Sequence, residues 1–286
     1  MTDAVTIDAP AKLNLFLRIL GRESDGYHSL ETLFVRLALA DELVVERREQ
    51  KGVTLAVEGG DTGPEQDNLA LRAAELVMQT VRLPFGVHLT LRKRIPVGAG
   101  LGGGSADAAA ALQAVNALAG NAIPRHELFQ FAARLGADVP FCFSGASLAI
   151  GWGRGDRLFV VPSPPPAPVL IVSPPVSVKT SEAYGWIDQA TEGRARRGAV
   201  ALDLESLGGW GSIGRMSGND FETPVFGRHP EVRAAYESVA KTQPLLCRMS
   251  GSGSSIFGIY RSARDRDDAA LMLPRRLGRV ITTETR

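Results

Sequence analysis

Cysteine is scarce in this chain. The two in 286 residues, Cys142 and Cys247, lie far apart in apolar surroundings with no C-x-x-C pair. That argues against a disulfide framework or a zinc ribbon and reads as two buried free thiols in a reducing compartment. Histidine is nearly as rare, and His88, His126 and His229 share no metal-ligand spacing, so no resident metal centre is expected. An excess of one charge is missing too, since 32 basic and 31 acidic residues leave a net charge of +1. Such a balance offers no electrostatic footprint for nucleic acid or an anionic membrane. No apolar run approaches the roughly 18 residues of a membrane span, and the segment holding Asp3 and Asp8 lacks the basic and apolar regions of a secretion signal. No internal repeat is visible. These absences point to a cytosolic protein. Its length suits one large or two modest domains, and 44% hydrophobic with 22% charged residues supplies ample core.

Glycine is plentiful, and it is concentrated. Pro96-Val97-Gly98-Ala99-Gly100-Leu101-Gly102-Gly103-Gly104-Ser105 carries five glycines in seven positions and runs straight into an alanine-rich stretch from Ala106 to Gly120. With so little side-chain bulk, backbone N–H groups can close around a ligand, and the start of a helix adds partial positive charge. Phosphate is the natural guest. Val87 to Leu91 alternates like a strand and Ser105 is a suitable N-cap, so strand, glycine loop and helix follow in order. Gly98 to Gly103 satisfies the dinucleotide pattern G-x-G-x-x-G. That reading also needs a second parallel strand with an acidic residue about 20 positions on, where Asn121-Ala122-Ile123-Pro124 stands instead. A P-loop needs Lys then Ser or Thr after its last glycine, whereas Gly103 is followed by Gly104 and Ser105. A merely tight turn remains the third reading, against which stands the roughly 0.5–1 kcal/mol that each glycine costs relative to alanine in regular structure.

Periodicity predicts strands near 4–8, 12–20, 31–47, 52–57 and 86–92, a helix from Asn68 to Thr80 capped by Asp67, and helices at 105–118 and 125–135, the second closed by Gly136 as a C′ residue. Leu148–Ile150 and Arg157–Val161 read as paired strands. Five prolines between Pro162 and Pro168 then interrupt all regular structure, so the expected domains are 1–161 and 169–286. The second half reads as a strand at 169–173, helices to about 242, strands at 245–249 and 255–260, a helix from Ala263 to Met272 and a last strand at 278–282, which suggests a split β-α-β sandwich. Glu192 to Gly198, with three arginines and two glycines, reads as a surface loop.

A second glycine cluster, Met249-Ser250-Gly251-Ser252-Gly253-Ser254-Ser255, lies between the two strands of a C-terminal hairpin. Its small residues allow close approach and its hydroxyls can reach phosphate or hydroxyl oxygens. With the first loop it suggests a cleft between domains, walled on both sides by backbone. Pro96 to Ala110 resembles the central motif of the galactokinase, homoserine kinase, mevalonate kinase and phosphomevalonate kinase (GHMP) superfamily. Pro10-Ala11-Lys12-Leu13-Asn14-Leu15 and Ser250-Gly251-Ser252-Gly253 match its other two signatures. Within the superfamily, Gly21-Arg22-Glu23-Ser24-Asp25-Gly26-Tyr27-His28 through Phe34, and Leu135-Gly136-Ala137-Asp138-Val139-Pro140, are similar to the 4-diphosphocytidyl-2-C-methyl-D-erythritol kinases.

The resemblance implies an α+β, two-domain GHMP kinase fold: an N-terminal mixed sheet with helices, a C-terminal split β-α-β (ferredoxin-like) domain and an active site in the cleft between them. It implies ATP-dependent phosphorylation of the 2-hydroxyl of the cytidine diphosphate substrate, with Mg²⁺ held mainly by the phosphates. By similarity Asp138 is the base and Lys12 its cationic partner. On pattern alone Lys12 and Asn14, at i and i+2 of an apolar strand, fit a wet sheet face slightly better than a functional one, and it is the resemblance that reverses the balance. Asn14, Tyr27, His28, Phe34, Thr180 and Tyr184 are implied substrate contacts, with Tyr27, His28 and Tyr184 around cytosine and Phe34 beneath the sugar site, where an ordinary core role fits equally. Asn68 and Lys93 are implied on the nucleotide side, and Pro96, Val97, Gly98, Ala99, Gly100, Leu101, Gly102, Gly103, Gly104, Ser105 and Ala106 as the phosphate cradle. Asp107 stands where many relatives carry asparagine, and near triphosphate it would need Mg²⁺ or a cap role. A monomer or weak homodimer is expected. The competing readings are homoserine kinase, a nicotinamide-dependent oxidoreductase and a non-catalytic nucleotide-binding module.

Overall fold

The structure, a computed structural model, describes residues 3–191 and 203–286; the predicted Glu192–Gly198 loop lies outside the described residues. Two long strands open the chain, β1 (Ala4–Arg22) and β2 (His28–Arg48), followed by β3 (Val53–Glu58), α1 (Leu69–Val81), β4 (Gly86–Arg92), α2 (Gly103–Leu118), α3 (Arg125–Leu135) and α4 (Val139–Ser144). The hairpin β5 (Leu148–Gly153) and β6 (Arg157–Val160) precedes β7 (Pro168–Ser173), α5 (Thr180–Thr191), α6 (Trp210–Met216), α7 (Glu222–Arg228) and α8 (Pro230–Ala240). The chain closes with β8 (Leu246–Met249), β9 (Ile256–Ile259), α9 (Ala263–Met272) and β10 (Arg279–Glu284). Two compact units result. One comprises Met1–Ala11, Leu39–Val97 and Gly102–Ala146; the other Lys12–Ala38, Gly98–Leu101 and Ser147–Arg286. The grouping does not follow chain order, because β1 and β2 each serve both units, and β5 and β6 join the residues that follow the prolines.

In the first unit β4 pairs in parallel with β3 and antiparallel with the second half of β2, from Glu42↔Arg92 to Arg48↔Gly86, the mixed sheet expected. Leu43, Val45, Val87, Leu89 and Leu91 fill one core with α1, α2 and α3. Helix α2 is buried from Ala106 through Leu112 and again at Ala114 and Val115, which its small side chains permit by letting neighbouring elements approach closely.

In the second unit four strands lie in the order β10-β7-β9-β8, every neighbouring pair antiparallel. With helices between β7 and β8 and again between β9 and β10, this is the split β-α-β arrangement of the expected ferredoxin-like half. Leu170, Val172, Met249 and Ile256 pack there against Val225, Val232, Ala235 and Val239 of α7 and α8. The Pro-rich segment is pinned to this unit: Pro165 O accepts the Trp210 Nε1–H at 2.9 Å, and Ala167 N donates to Thr285 Oγ1 at 2.9 Å.

Several boundaries differ from the sequence reading. Strand β1 runs unbroken through Pro10, whose fixed φ suits extended backbone. Helix α1 is capped by Asn68, whose Oδ1 accepts the Ala70 N–H at 2.9 Å, and not by Asp67, which belongs to a 3₁₀ turn. Helix α2 begins two residues before Ser105, behind Gly102 at φ 70. Gly136, with φ 169, ends α3 in extended backbone, not as a left-handed C′ residue.

Candidate functional site

Lys12 and Asn14 point the same way along β1, as their spacing requires, and that face is dry: Lys12 is 3% exposed and Asn14 2%. Lys12 Nζ donates to Asn14 Oδ1 at 2.7 Å, Asn14 Nδ2 donates to Thr32 Oγ1 at 2.8 Å, and Thr32 Oγ1 donates to Phe16 O at 2.6 Å. With its oxygen accepting from the Lys12 ammonium and its Nδ2 donating to Thr32, the Asn14 amide has a single orientation. The Phe34 ring, buried and lying against Gly151, has its centroid 5.7 Å from Lys12 Nζ.

The first part of the glycine loop, Gly98 to Leu101, folds onto this strand and onto the second glycine cluster. Lys12 N donates to Leu101 O at 3.0 Å, Ser255 N to Ala99 O at 3.1 Å, and Ser250 Oγ to Gly100 O at 2.9 Å. The requirement for glycine is steric. A Cβ on Gly100, which has φ +79, would stand 2.2 Å from Ser250 O, inside any allowed contact. The two clusters singled out in the sequence thus interlock through main chain, and Thr180, at the start of α5, joins them with Oγ1 2.9 Å from Ser252 Oγ. Ala99 and Leu101 are buried, whereas Val97 is 50% exposed.

The second part of the loop starts α2 and covers a buried charge cluster in the first unit. A Cβ on Gly103 would meet Lys93 Nζ and Ile95 Cγ2 at 3.2 Å. The Lys93 ammonium bonds Asp41 and lies 2.7 Å from Asp107 Oδ2, all three groups at most 3% exposed in their side chains. Asp41 also accepts the backbone N–H groups of Arg94 and Ile95. Asp107 Oδ1 is buried without a hydrogen bond. Burial first, and then the negative charge of Asp41, push the Asp107 carboxyl up to about 7 against the opposing pull of Lys93. Asn68, capping α1, turns Nδ2 toward Thr62 Oγ1 at 3.3 Å. Pro96, Gly102, Gly104, Ser105 and Ala106 complete the loop and the first turn of α2. The 16-residue helix α2 begins at Gly103, and the N–H groups of a helix's first turn are suited to phosphate.

Asp138 is half-buried, immediately before α4, and its carbonyl accepts the Cys142 N–H at 3.2 Å. Tyr27 is 58% exposed, with the Arg154 guanidinium carbon 3.7 Å from its ring centroid. His28 Nε2 lies 2.6 Å from Asp188 Oδ1, and its ring stacks on Tyr184 of α5 at 4.5 Å and 16°. Tyr184 in turn meets Phe221 edge-on at 5.0 Å. Burial pushes the Cys247 thiol up to about 12, an inert state. Among the described residues no metal-binding cluster exists and no helix is long and apolar enough to cross a membrane. Sequence reasoning missed Asp41, Thr32 and Asp188. The acidic pair Asp41-Glu42 inside the apolar run Leu37 to Val45 was the one available signal for Asp41.

Comparison with known proteins matches residues 68–146 to the GHMP kinases N-terminal domain and residues 200–279 to the GHMP kinases C-terminal domain. The fold and the glycine loop are thus those of an ATP-dependent small-molecule kinase. The chain is 38% identical over 288 residues to a 4-diphosphocytidyl-2-C-methyl-D-erythritol kinase of Moorella thermoacetica, covering 99% of both proteins. It is 40% identical to that of Paraburkholderia phytofirmans, covering 96% of this chain and 92% of the relative. A crystal structure of 4-(cytidine 5'-diphospho)-2C-methyl-D-erythritol kinase superposes with a TM-score of 0.80 at 37% identity over 98% of each chain. The chain belongs to the 4-diphosphocytidyl-2-C-methyl-D-erythritol kinase family of GHMP kinases.

Proposed function

We propose that the protein transfers the γ-phosphoryl group of ATP to the 2-hydroxyl of 4-diphosphocytidyl-2-C-methyl-D-erythritol, forming the 2-phosphate and ADP, and that Asp138 and Lys12 do the chemistry. The observation that carries this reading is the buried Lys12 ammonium, oriented by Asn14, in a residue whose own N–H is tied to the glycine loop at Leu101. Phosphoryl transfer is mostly positioning and charge stabilisation. ATP supplies the phosphoryl group, with Mg²⁺ held by its phosphates and water. The loop's N–H groups hold the phosphates, Lys12 neutralises charge beside the acceptor, and Asp138 takes the proton from the 2-hydroxyl as its oxygen bonds phosphorus and the bond to ADP breaks. Tyr27, His28 and the α5 residues Thr180 and Tyr184 hold the cytidine and sugar portion. We assign this reaction to the cytoplasm and to a monomer or weak homodimer.

The test is Asp138→Asn assayed by ADP release with the cytidine substrate. Turnover is expected to fall by about 10²-fold or more while ATP affinity stays at the wild-type value. Turnover within a few fold of wild type would remove Asp138 from the role of base. Absence of ATP turnover with the cytidine acceptor in the wild type would remove the reading itself.

A further inference from the structure

The contact between His28 and Asp188 has a chemical consequence for base selection. Asp188 sits on α5 with its side chain 33% exposed, its Oδ1 2.6 Å from His28 Nε2 and its Oδ2 3.5 Å from Arg22 Nη1. A carboxylate only accepts, so Nε2 carries the hydrogen, and in the neutral ring Nδ1 is left with a bare lone pair. His28 Nδ1 makes no hydrogen bond among the described residues, and it is not among the sealed, unsatisfied atoms. Tyr184, parallel to the imidazole at 4.5 Å, keeps the ring in its plane. The ring is therefore held between Asp188 and Tyr184 with a hydrogen-bond acceptor at Nδ1 that no described residue uses.

We infer that Asp188 is a positioning residue for base recognition: by fixing the His28 tautomer it makes Nδ1 an acceptor for the exocyclic amino group of cytosine and a repellent for the O4 of uracil. The inference rests on the functional reading above, in which His28 faces the base. Cytosine presents an amino donor where uracil presents a carbonyl acceptor, so one lone pair facing another separates the two bases without bulk. A site built on a buried polar group rejects the mismatched partner more strongly than a shape difference does. The sequence holds the pieces apart: His28 lies in the Gly-Tyr-His turn and Asp188 160 residues away on α5.

Asp188→Asn is the informative change, because the asparagine amide can donate to Nε2 and so permit the tautomer with hydrogen on Nδ1. The full-length protein, wild type and variant, is titrated with CDP and with UDP, and the His28 tautomer is read from its ¹⁵N resonances. Wild type is expected to show Nε2–H and to prefer CDP. In Asp188→Asn the Nδ1–H form should appear and the CDP-over-UDP preference fall about tenfold or more, with ATP affinity and the unfolding midpoint unchanged. A wild-type His28 with hydrogen on Nδ1, or an unaltered preference in Asp188→Asn, overturns the inference. Turnover of the cytidine substrate is measured in parallel, so loss of the kinase reading shows as a wild type without turnover, and failure of the Asp188 role shows as intact turnover with unmoved preference.

Discussion

The Lys93–Asp41–Asp107 cluster and the His28–Asp188–Arg22 cluster both join a cationic or imidazole group to carboxylate, and they differ in access to water. In the first unit Lys93, Asp41 and Asp107 are sealed, with side chains 0–3% exposed. In the second unit His28 is 8% exposed, but its partner Asp188 is 33% and Arg22 61%. Sealed charges have no water to fall back on, so every member constrains the others and the cluster belongs to the fold. An open cluster is screened, contributes little to stability, and leaves one polar atom available to a ligand. The same chemistry thus serves as scaffold in the first unit and, on the inference drawn above, as reader of the base in the second.

The largest expected effect comes from breaking the sealed cluster. Lys93→Met removes the ammonium and leaves two carboxylates facing each other in the interior, so unfolding free energy should fall by roughly 3–5 kcal/mol. Urea denaturation measures it. Adding Asp107→Asn to Lys93→Met should recover part of the loss, since it removes one of the stranded charges, and a double-mutant cycle then gives the coupling. A loss below about 1 kcal/mol for Lys93→Met would mean the cluster is not sealed.

A smaller effect sharpens the comparison through pH. One ammonium cannot neutralise two buried carboxylates, and Asp41 already accepts two backbone N–H groups as well as Lys93. Asp107 is therefore where the proton binds, its carboxyl raised from 3.8 to about 7. Folded protein holds that proton in a range where the unfolded chain has released it. Stability from this group is fully present below about pH 4 and is lost as pH rises toward 7, by about 1.4 kcal/mol per pH unit in between. Asp107→Asn keeps an oxygen for Lys93 and cannot ionise, so its stability relative to wild type should climb from pH 4.5 to 7.5. A difference that stays flat, or that shrinks as pH rises, would contradict a raised Asp107.

Much of this was legible from local pattern. The i, i+2 spacing put Lys12 and Asn14 on one face, the glycine runs announced main chain packed against main chain, and strands divided by helices announced the split β-α-β half. Whether the face of Lys12 is wet or dry could not be read, because alternation marks a face without saying what covers it. Asp41 and Lys93 lie 52 positions apart, and Asp107 a further 14. Pairings at such separation leave no periodic trace. Helix α4, six residues long, is shorter than two turns and gives no amphipathic signal. Capping by Asn68 where Asp67 was expected was a choice between two adjacent good caps, decided by the 3₁₀ turn that takes up Asp67.

The smallest expected effect lies in the open cluster. Arg22 Nη1 is 3.5 Å from Asp188 Oδ2, with the arginine side chain 61% exposed, and a long exposed side chain loses rotamer freedom to hold such a pair. Arg22→Ala should change unfolding free energy by less than about 0.5 kcal/mol. Its effect on base preference is the finer test. The hydrogen bond between Asp188 and His28 Nε2 remains after the guanidinium is gone, so the CDP-over-UDP ratio should move by less than about twofold, against the tenfold expected for Asp188→Asn. If Arg22→Ala abolished the preference as fully as Asp188→Asn, the guanidinium would be holding the carboxylate in place, and selection would rest on all three side chains.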